Sequence, residues 1–494
     1  MSGADDWSTS ANDALFLSLV SPSPGGLKTV SHSFNPAFTY PLFGENQEIF
    51  GYQDLEINLR YNASDMRPNV SITYKKKFPT IGETEATNVD GILREFLPEV
   101  AFQNKADFET AIKNVGKDWT PPGELATAFS TKDKAFEVWK GNLTDPAVKQ
   151  LVKRIQILVP LFIEGGTEID VDDPDADRWT VFFLYQKKAT TEAGQSPYVF
   201  AGYCTVYRFF RFQPPTPPLS PRADDLERQT LNQDFDLSQL PCRHRISQFI
   251  IIPIFQQQGL GPRLYKHIFS EYIAHPHTVE ITVEDPNEAF DDLRDIADLH
   301  YLRTLPEFKA LRIDTSLTLN KDGNAPSNIV DKAASEAVRA KAKMAPRQFA
   351  RMLEMHLMSQ LPEPVRRVFA PGKEDDDAAA GAAKPTNEQA HEYRLWKLML
   401  KKRIYKQNKD ALGELEIPER IAKLDETVSS VEFDYARLLL KAEEQEKRAE
   451  EDAAAVAAKA NANGNGPAAN GKRKAVEEAD VEASASKKAR IEDE

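Results

Sequence analysis

The chain has 494 residues, with 62 Lys+Arg against 76 Asp+Glu and a formal charge of −14. That length builds two or three domains with a sizeable core, and the acidic balance repels DNA while attracting basic ligands. Two cysteines, Cys204 and Cys242, argue for a reducing compartment; no spacing suits a metal, no apolar stretch would span a membrane, and the start lacks a basic leader region.

Residues 1–30, rich in Ser, Pro and Gly around Leu15-Phe16-Leu17, are expected to be a flexible N-terminus. Residues 31–144 are expected to form an N-terminal α/β domain. In it Leu55, Ile57, Leu59 and Tyr61, then Val70, Ile72 and Tyr74, alternate with polar residues as strands do. Asp145-Pro146 is a helix start, a cap residue followed by proline, and Val148, Leu151, Val152 and Ile155 share one helical face. The run stays apolar to Ile163 and ends at Glu164. Asp170, Asp172, Asp173, Asp175 and Asp177 then put five acids into eight residues. This is either a solvated turn or a landing surface for a basic peptide; the glycine and glutamate of a calcium loop are missing.

Strand patterns at 179–186, 199–212, 245–254 and 278–283 build a mixed sheet within a domain spanning 145–300. Cys204 reads as a core residue of its strand. Residues 214–241, with Pro-Pro-Thr-Pro-Pro, are a surface insertion. A helical region, 301–449, has helices at 332–361 and 388–412 about a linker at 371–385. Its basic stretch 397–409 reads as a solvated face rather than a DNA site. Ile421, Leu424, Val428, Val431, Tyr435 and Leu438 form a 3-4-3-4-3 seam, expected to pack within the domain. From 450 the Ala/Asn/Gly-rich tail is expected to be disordered. Lys472-Arg473-Lys474 and Lys487-Lys488-Ala489-Arg490 lie twelve residues apart in it, as in a bipartite nuclear import signal read by an import carrier.

The strand at 245–254 runs into Gln256-Gln257-Gln258-Gly259-Leu260-Gly261, and Pro262 is expected at the first position of a helix reaching Tyr272. Strand, glycine turn and helix together aim unpartnered N–H groups at one spot, which suits a phosphate. The alternative is a solvated turn. A Walker loop is excluded by the missing Gly-Lys-Ser/Thr, and a dinucleotide fingerprint by the missing first glycine. The form Q-x-x-G-x-G resembles the coenzyme A pyrophosphate loop of the GCN5-related N-acetyltransferases. Past the strand 278–283, Glu284-Asp285-Pro286 lies where open α/β sheets place ligands. A strand-end carboxylate beside a second acid suits a general base; acids before proline equally suit a helix N-cap.

The stretch from Arg245-Ile246-Ser247-Gln248 to Arg294 resembles the catalytic subunit of type B histone acetyltransferase. Phe162-Ile163-Glu164, Ile169-Asp170-Val171-Asp172-Asp173 with Arg178-Trp179, and Gly202-Tyr203-Cys204-Thr205-Val206-Tyr207 are similar to that family too. So are Leu42-Phe43-Gly44 and Phe50-Gly51-Tyr52. The likeness is dense from about Leu42 to His300, thins beyond, and is absent from the last fifty or so residues.

The resemblance implies an α+β fold: an N-terminal α/β domain, a central GNAT mixed sheet with flanking helices, and a C-terminal helical domain. It implies metal-free transfer of acetyl from acetyl-CoA to lysines in the N-terminal tail of newly made, free histone H4, carried as H3–H4. Glu284 would be the base in a direct attack, with Glu164 and Asp285 assisting. The backbone of Phe249, Ile250 and Ile251 would bind pantetheine, and Gln256, Gln257, Gln258, Gly259, Leu260, Gly261 and Pro262 the pyrophosphate, with Asn287 and Phe290 as further coenzyme contacts. Glu45, Asn46, Gln47, Trp179, Tyr207, Arg208 and Phe209 would line the H4 groove, although 45–47 is less acidic than the family form. A β-propeller WD-repeat histone-binding partner is implied, as is residence in cytoplasm and nucleus. Two alternatives stand beside this: an N-acetyltransferase for a small amine or a protein N-terminus, and a non-catalytic histone-binding subunit.

Overall fold

The computed structural model describes residues 7–131, 134–189, 195–211, 237–319, 326–367 and 384–463. The expected insertion (214–241) and linker (371–385) lie largely outside these residues, and both basic clusters of the tail lie wholly outside. Met1–Leu440 form one compact unit. Within it the fold is α+β.

A four-stranded sheet has the order β2-β1-β3-β4, with β1 Leu15–Ser23, β2 Gly26–Thr29, β3 Glu56–Asn62 and β4 Pro68–Thr73. β1 and β3 run parallel; β3 and β4 form the antiparallel pair expected from their alternation. Helix α1 is Val89–Phe96 and α2 is Lys105–Lys113. Phe108 and Ile112 of α2 bury against Val20 of β1. The N-terminus is therefore not flexible from residue 7 on. Leu15, Leu17 and Leu19 are each at most 1% exposed, and their period of two is the strand signal that the Ser/Pro/Gly content of residues 1–30 obscured.

The larger sheet has six strands in the order β10-β9-β8-β7-β6-β5. In chain order these are β5 Glu124–Thr131, β6 Lys134–Asn142, β7 Trp179–Lys187, β8 Tyr198–Phe210, β9 Cys242–Ile251 and β10 Thr278–Val283. Neighbours are antiparallel except β9 and β10, which are parallel. A parallel pair needs a crossover, and the helix Leu260–Ala274 supplies it. The expected boundary at 144 is thus misplaced, because β5 and β6 belong to the central sheet through the β6–β7 ladder. The run Val181-Phe182-Phe183-Leu184-Tyr185 is fully buried, as expected of a strand covered on both faces.

Helix α3 is Pro146–Ile155, capped by Asp145, whose side chain accepts from Ala147 N. Its apolar face, Val148, Leu151, Val152 and Ile155, is buried as the spacing predicts. Arg154 pairs at 2.9 Å with Asp65 of the β3–β4 turn, both buried, and so ties the two sheets together. Helix α4 is Leu158–Phe162.

Helix α5 is Leu260–Ala274 and α6 is Glu288–Leu302. Beyond them lie α7 Lys332–Lys341, α8 Pro346–Gln360, α9 Asn387–Gln407 and α10 Ile417–Asn463. The helix expected over 332–361 is two, broken before Pro346, which excludes the helical region for the residue preceding it. The tail stays helical past 450, to Asn463, where alanines favour helix strongly.

Seam residues Val428, Tyr435 and Leu438 of α10 are buried, whereas Ile421 is 55% exposed. Tyr435 Oη donates to Glu354 of α8 at 2.8 Å, and Arg403 of α9 pairs with the same carboxylate at 2.8 Å. That places the upper seam inside the helical region, as expected, and ties Arg403 of the basic stretch to α8. A second charged network links α5 to the same helices. Tyr265 of α5 donates to Asp298 of α6 at 2.7 Å, and Gln348 of α8 reaches both Asp295 and Asp298 at 2.9 Å. Arg351 of α8 then bridges Asp295 to Asp434 of α10.

Candidate active site

The β8–β9 ladder contains a bulge. Cys204 faces Phe249 and Val206 faces Ile246, so Ser247 and Gln248 together oppose the single Thr205. Gln248 N, displaced from the ladder, is satisfied at 3.0 Å by Thr205 Oγ1. On the other side of β9 the ladder to β10 ends at Ile246–Val283, with Glu284 N donating to Ile246 O at 2.9 Å. From Ser247 to Ile251 no strand among the described residues pairs with that side of β9. The two parallel strands therefore part and leave a cleft edged by Phe249, Ile250 and Ile251.

The glycine loop lies at the far end of this open edge. After the turn Pro253–Phe255, Gln256 Nε2 donates to Ile251 O at 2.8 Å and Gln258 Nε2 to Ile254 O at 3.0 Å. The glutamine side chains thus brace the loop, while Gln257 takes a positive φ of 57°. Gly259 is the N-cap of α5 at φ 73°, without a side-chain cap, and a Cβ built on it would meet open space. A helix N-terminus left uncapped offers its first N–H groups and the positive end of its dipole to an anion. Pro262 is the third helical residue rather than the first, still within the turn where no N–H partner exists. Gly261 serves packing: its Cβ would lie 2.8 Å from Leu293 of α6. Lys134 of β6 reaches Gln258 at 3.5 Å, and Arg263 lies in the first turn of α5 over Phe129. These two cations beside the loop were not anticipated; for Arg263 the signal was its place directly after Pro262.

Glu284 sits at the mouth of the cleft. Its Oε2 accepts from Ser247 Oγ at 2.6 Å and its Oε1 lies 3.5 Å from Arg245. The neighbours expected from sequence were acids; those found are a hydroxyl and a guanidinium. Asp285 is exposed and takes a positive φ of 30°. The helix cap expected as an alternative use of these acids is taken by Asn287, whose side chain accepts from Phe290 N at 2.9 Å. Glu284 is thereby left to the cleft. Phe290 packs edge-on against Phe249 at 4.9 Å, closing the α6 side.

Across the sheet from Glu284, Tyr207 pairs with Arg245 and with Trp179 in register. Trp179, Tyr207 and Phe209 pack edge-to-face in succession, at 4.8 and 4.5 Å, and Arg245 lies over Phe209. Arg208 is not part of this row. Strand alternation turns it to the opposite face, where it pairs in register with His244 and lies over Phe210. Glu164 is exposed in the turn after α4, and Gly165 N of that turn donates to Tyr40 Oη at 2.7 Å. The Tyr40 segment carries exposed Glu45 and Asn46. Gln47, by contrast, is committed internally, its Oε1 accepting from Asn12 at 3.0 Å and Thr39 N at 2.9 Å.

In the acidic stretch Asp172 is neutralised by Lys149 and Lys153 and Asp175 pairs with Arg178. Asp170 and Asp173 cap turns and, with Asp177, are exposed. Cys204 is buried and free, its thiol pushed up by burial, as a core residue should be. Among the described residues no group of His, Cys, Asp and Glu is placed to hold a metal.

Residues 7–164 match the family model described as histone acetyl transferase HAT1 N-terminus, and residues 295–362 the model described as fungal HAT1, C-terminal. The chain is 54% identical over 507 residues to the histone acetyltransferase type B catalytic subunit of Neurospora crassa, covering 100% of this chain and 99% of that one. The protein of the same description from Gibberella zeae is 48% identical, with 100% of each chain covered. That from Aspergillus oryzae is 38% identical, covering 89% of this chain and 87% of its own.

Proposed function

This chain belongs to the family of type B histone acetyltransferase catalytic subunits and is a histone acetyltransferase; from that premise we propose that it acetylates lysines in the N-terminal tail of free histone H4 by direct attack, with Glu284 as general base. The observation that carries the reading is the Glu284 carboxylate, fixed at 2.6 Å by Ser247 at the mouth of the cleft between β9 and β10. Acetyl-CoA, the co-substrate, supplies the acetyl group as an activated thioester. The open edge at Phe249–Ile251 offers backbone groups to its extended arm. The bare N-terminus of α5, with Lys134 and Arg263 nearby, suits its phosphates.

Glu284 accepts the proton that a lysine ammonium must lose before it attacks. Its hydrogen bond from Ser247 fixes the carboxylate's direction. The row of Trp179, Tyr207 and Phe209 gives aliphatic lysine stems an aromatic surface, and the exposed acids attract their charged ends. Glu164 and Asp285 are proposed to assist. An aromatic groove with acids about it favours a peptide over a small amine.

The test combines radiolabelled acetyl-CoA with free histones, nucleosomes and polyamines, and maps the labelled residue. Label on the H4 tail of free histones is expected. In Glu284→Gln, turnover should fall roughly 10²–10⁴-fold while coenzyme affinity changes little. Near-normal turnover in that variant at every pH would transfer the base role to Glu164 or Asp285. Label on polyamines alone would overturn the substrate. The proposal extends to a β-propeller WD-repeat partner that presents H4 with H3, and to passage between cytoplasm and nucleus on an import carrier.

A further inference from the structure

The turn after α4 contacts β9 through Thr167, whose carbonyl accepts from Gln248 Nε2 at 2.9 Å; Gln248 Oε1 also accepts from Tyr203 Oη at 3.3 Å. Gln248 is the bulge residue next to Ser247, which holds Glu284. The position of the turn therefore reaches the base through the bulge. Glu168 follows Thr167. Its Oε2 accepts from Gln156 Nε2, at the end of α3, at 3.2 Å. The remaining oxygens of the same two side chains, Glu168 Oε1 and Gln156 Oε1, are both buried without a hydrogen-bond partner. Two acceptors cannot bond each other. A single proton on Glu168 Oε1 makes it a donor, and acid and amide can then close a ring of two hydrogen bonds. One proton thus accounts for both orphaned atoms, each of which would otherwise carry a desolvation penalty.

We propose that Glu168 is a positioning residue for acetyl transfer: as a neutral acid paired with the Gln156 amide it fixes the turn against Gln248, and so aligns Ser247 and Glu284, and its ionisation loosens that alignment. The link to catalysis rests on the reading of Glu284 above; the acid–amide pair does not.

Burial pushes the Glu168 carboxyl up to about 7. Facing it are two buried phenols, Tyr61 of β3 and Tyr203 of β8, each raised by its own burial and then by Glu168. From α3 and β9 it meets neutral amides, Gln156 and, beyond Thr167, Gln248. Glu168 forms no ion pair among the described residues. Because the folded value lies above the ordinary 4.5, the folded state keeps a proton that the unfolded chain has lost. The resulting stability is full below about pH 4.5 and is lost as pH rises through about 7.

The test uses Glu168→Gln in the full chain, which presents the neutral hydrogen-bonding pattern at every pH. Melting temperatures of wild type and variant are compared from about pH 5 to 8.5. The difference, variant minus wild type, is expected to rise with pH and level off above neutrality. The ratio of kcat/KM for an H4 tail peptide, variant over wild type, should rise with the same midpoint by about fivefold, the equivalent of one net hydrogen bond. A flat melting difference overturns the neutral pair. A melting difference that titrates beside a constant kcat/KM ratio overturns the positioning role. If wild type does not acetylate the peptide, the acetyl-transfer reading and the positioning role built on it fail together, while the melting series still decides the pair. Infrared titration of wild type needs no variant: a protonated-carboxyl band lost near neutrality is expected, and its absence overturns the pair.

Discussion

Gly259 and Gly261 are glycine for different reasons. At Gly259 the backbone is left-handed and the space beyond is open; at Gly261 the space is filled by Leu293. The sequence assigned both to anion approach, because spacing reveals where glycines occur but not what stands opposite. Gly259→Glu should therefore lower acetyl-CoA affinity sharply with the fold retained, by placing a strained, negatively charged side chain at the helix N-terminus. Calorimetric binding equal to wild type would remove the loop from the coenzyme site. The place of Glu284 was legible from the end of a strand, whereas Asn287 and Phe249–Ile251 were named through the family resemblance, and the cap that Asn287 supplies to α6 was not foreseen. Ser247 was not, since only the bulge turns it toward Glu284. Arg208 was grouped with its neighbours as a contiguous segment, against the alternation of the strand that carries it, and Gln47 was assigned to the groove although its side chain is used within the fold.

Among elements, the acidic stretch before β7 divides more finely than its composition suggests. Asp172 and Asp175 have cationic partners, so the charge available to a basic tail is that of Asp170, Asp173 and Asp177. Changing these three to Asn should raise the KM for an H4 peptide, flatten its salt dependence and leave acetyl-CoA affinity alone. An unchanged salt dependence would make the stretch a solvated turn. Strands β7 to β10 of the central sheet and the α3 start were legible to within a few residues, because apolar runs and Asp-Pro carry local physics, whereas β5 and β6 were not read as strands. Strand β1 was missed in a Ser- and Pro-rich setting. Ladders such as β6–β7 decide where a domain ends, and they join residues too far apart in sequence for any local pattern to register.

For the whole molecule, Met1–Leu440 form one compact unit. The ties are side chains such as Arg154 with Asp65, whose partners lie 89 residues apart. The basic clusters beyond 470 lie outside the described residues. Deleting residues 470–494 should leave acetylation in vitro intact and move a fluorescent fusion toward the cytoplasm. Continued nuclear concentration would assign entry to a bound partner. The network from Tyr265 through Asp298, Gln348, Asp295 and Arg351 to Asp434 carries one more consequence. It makes the charge balance of α6 depend on helices α8 and α10. A cut at residue 300, where the sequence motifs end, would take Arg351 and Gln348 from the fully buried Asp295 and leave the equally buried Asp298 only Tyr265 and Arg294. The charge balance of α6 thus reaches past the motifs into α10, where Asp434 answers Arg351 and Arg437 answers Asp292, more than a hundred residues further on.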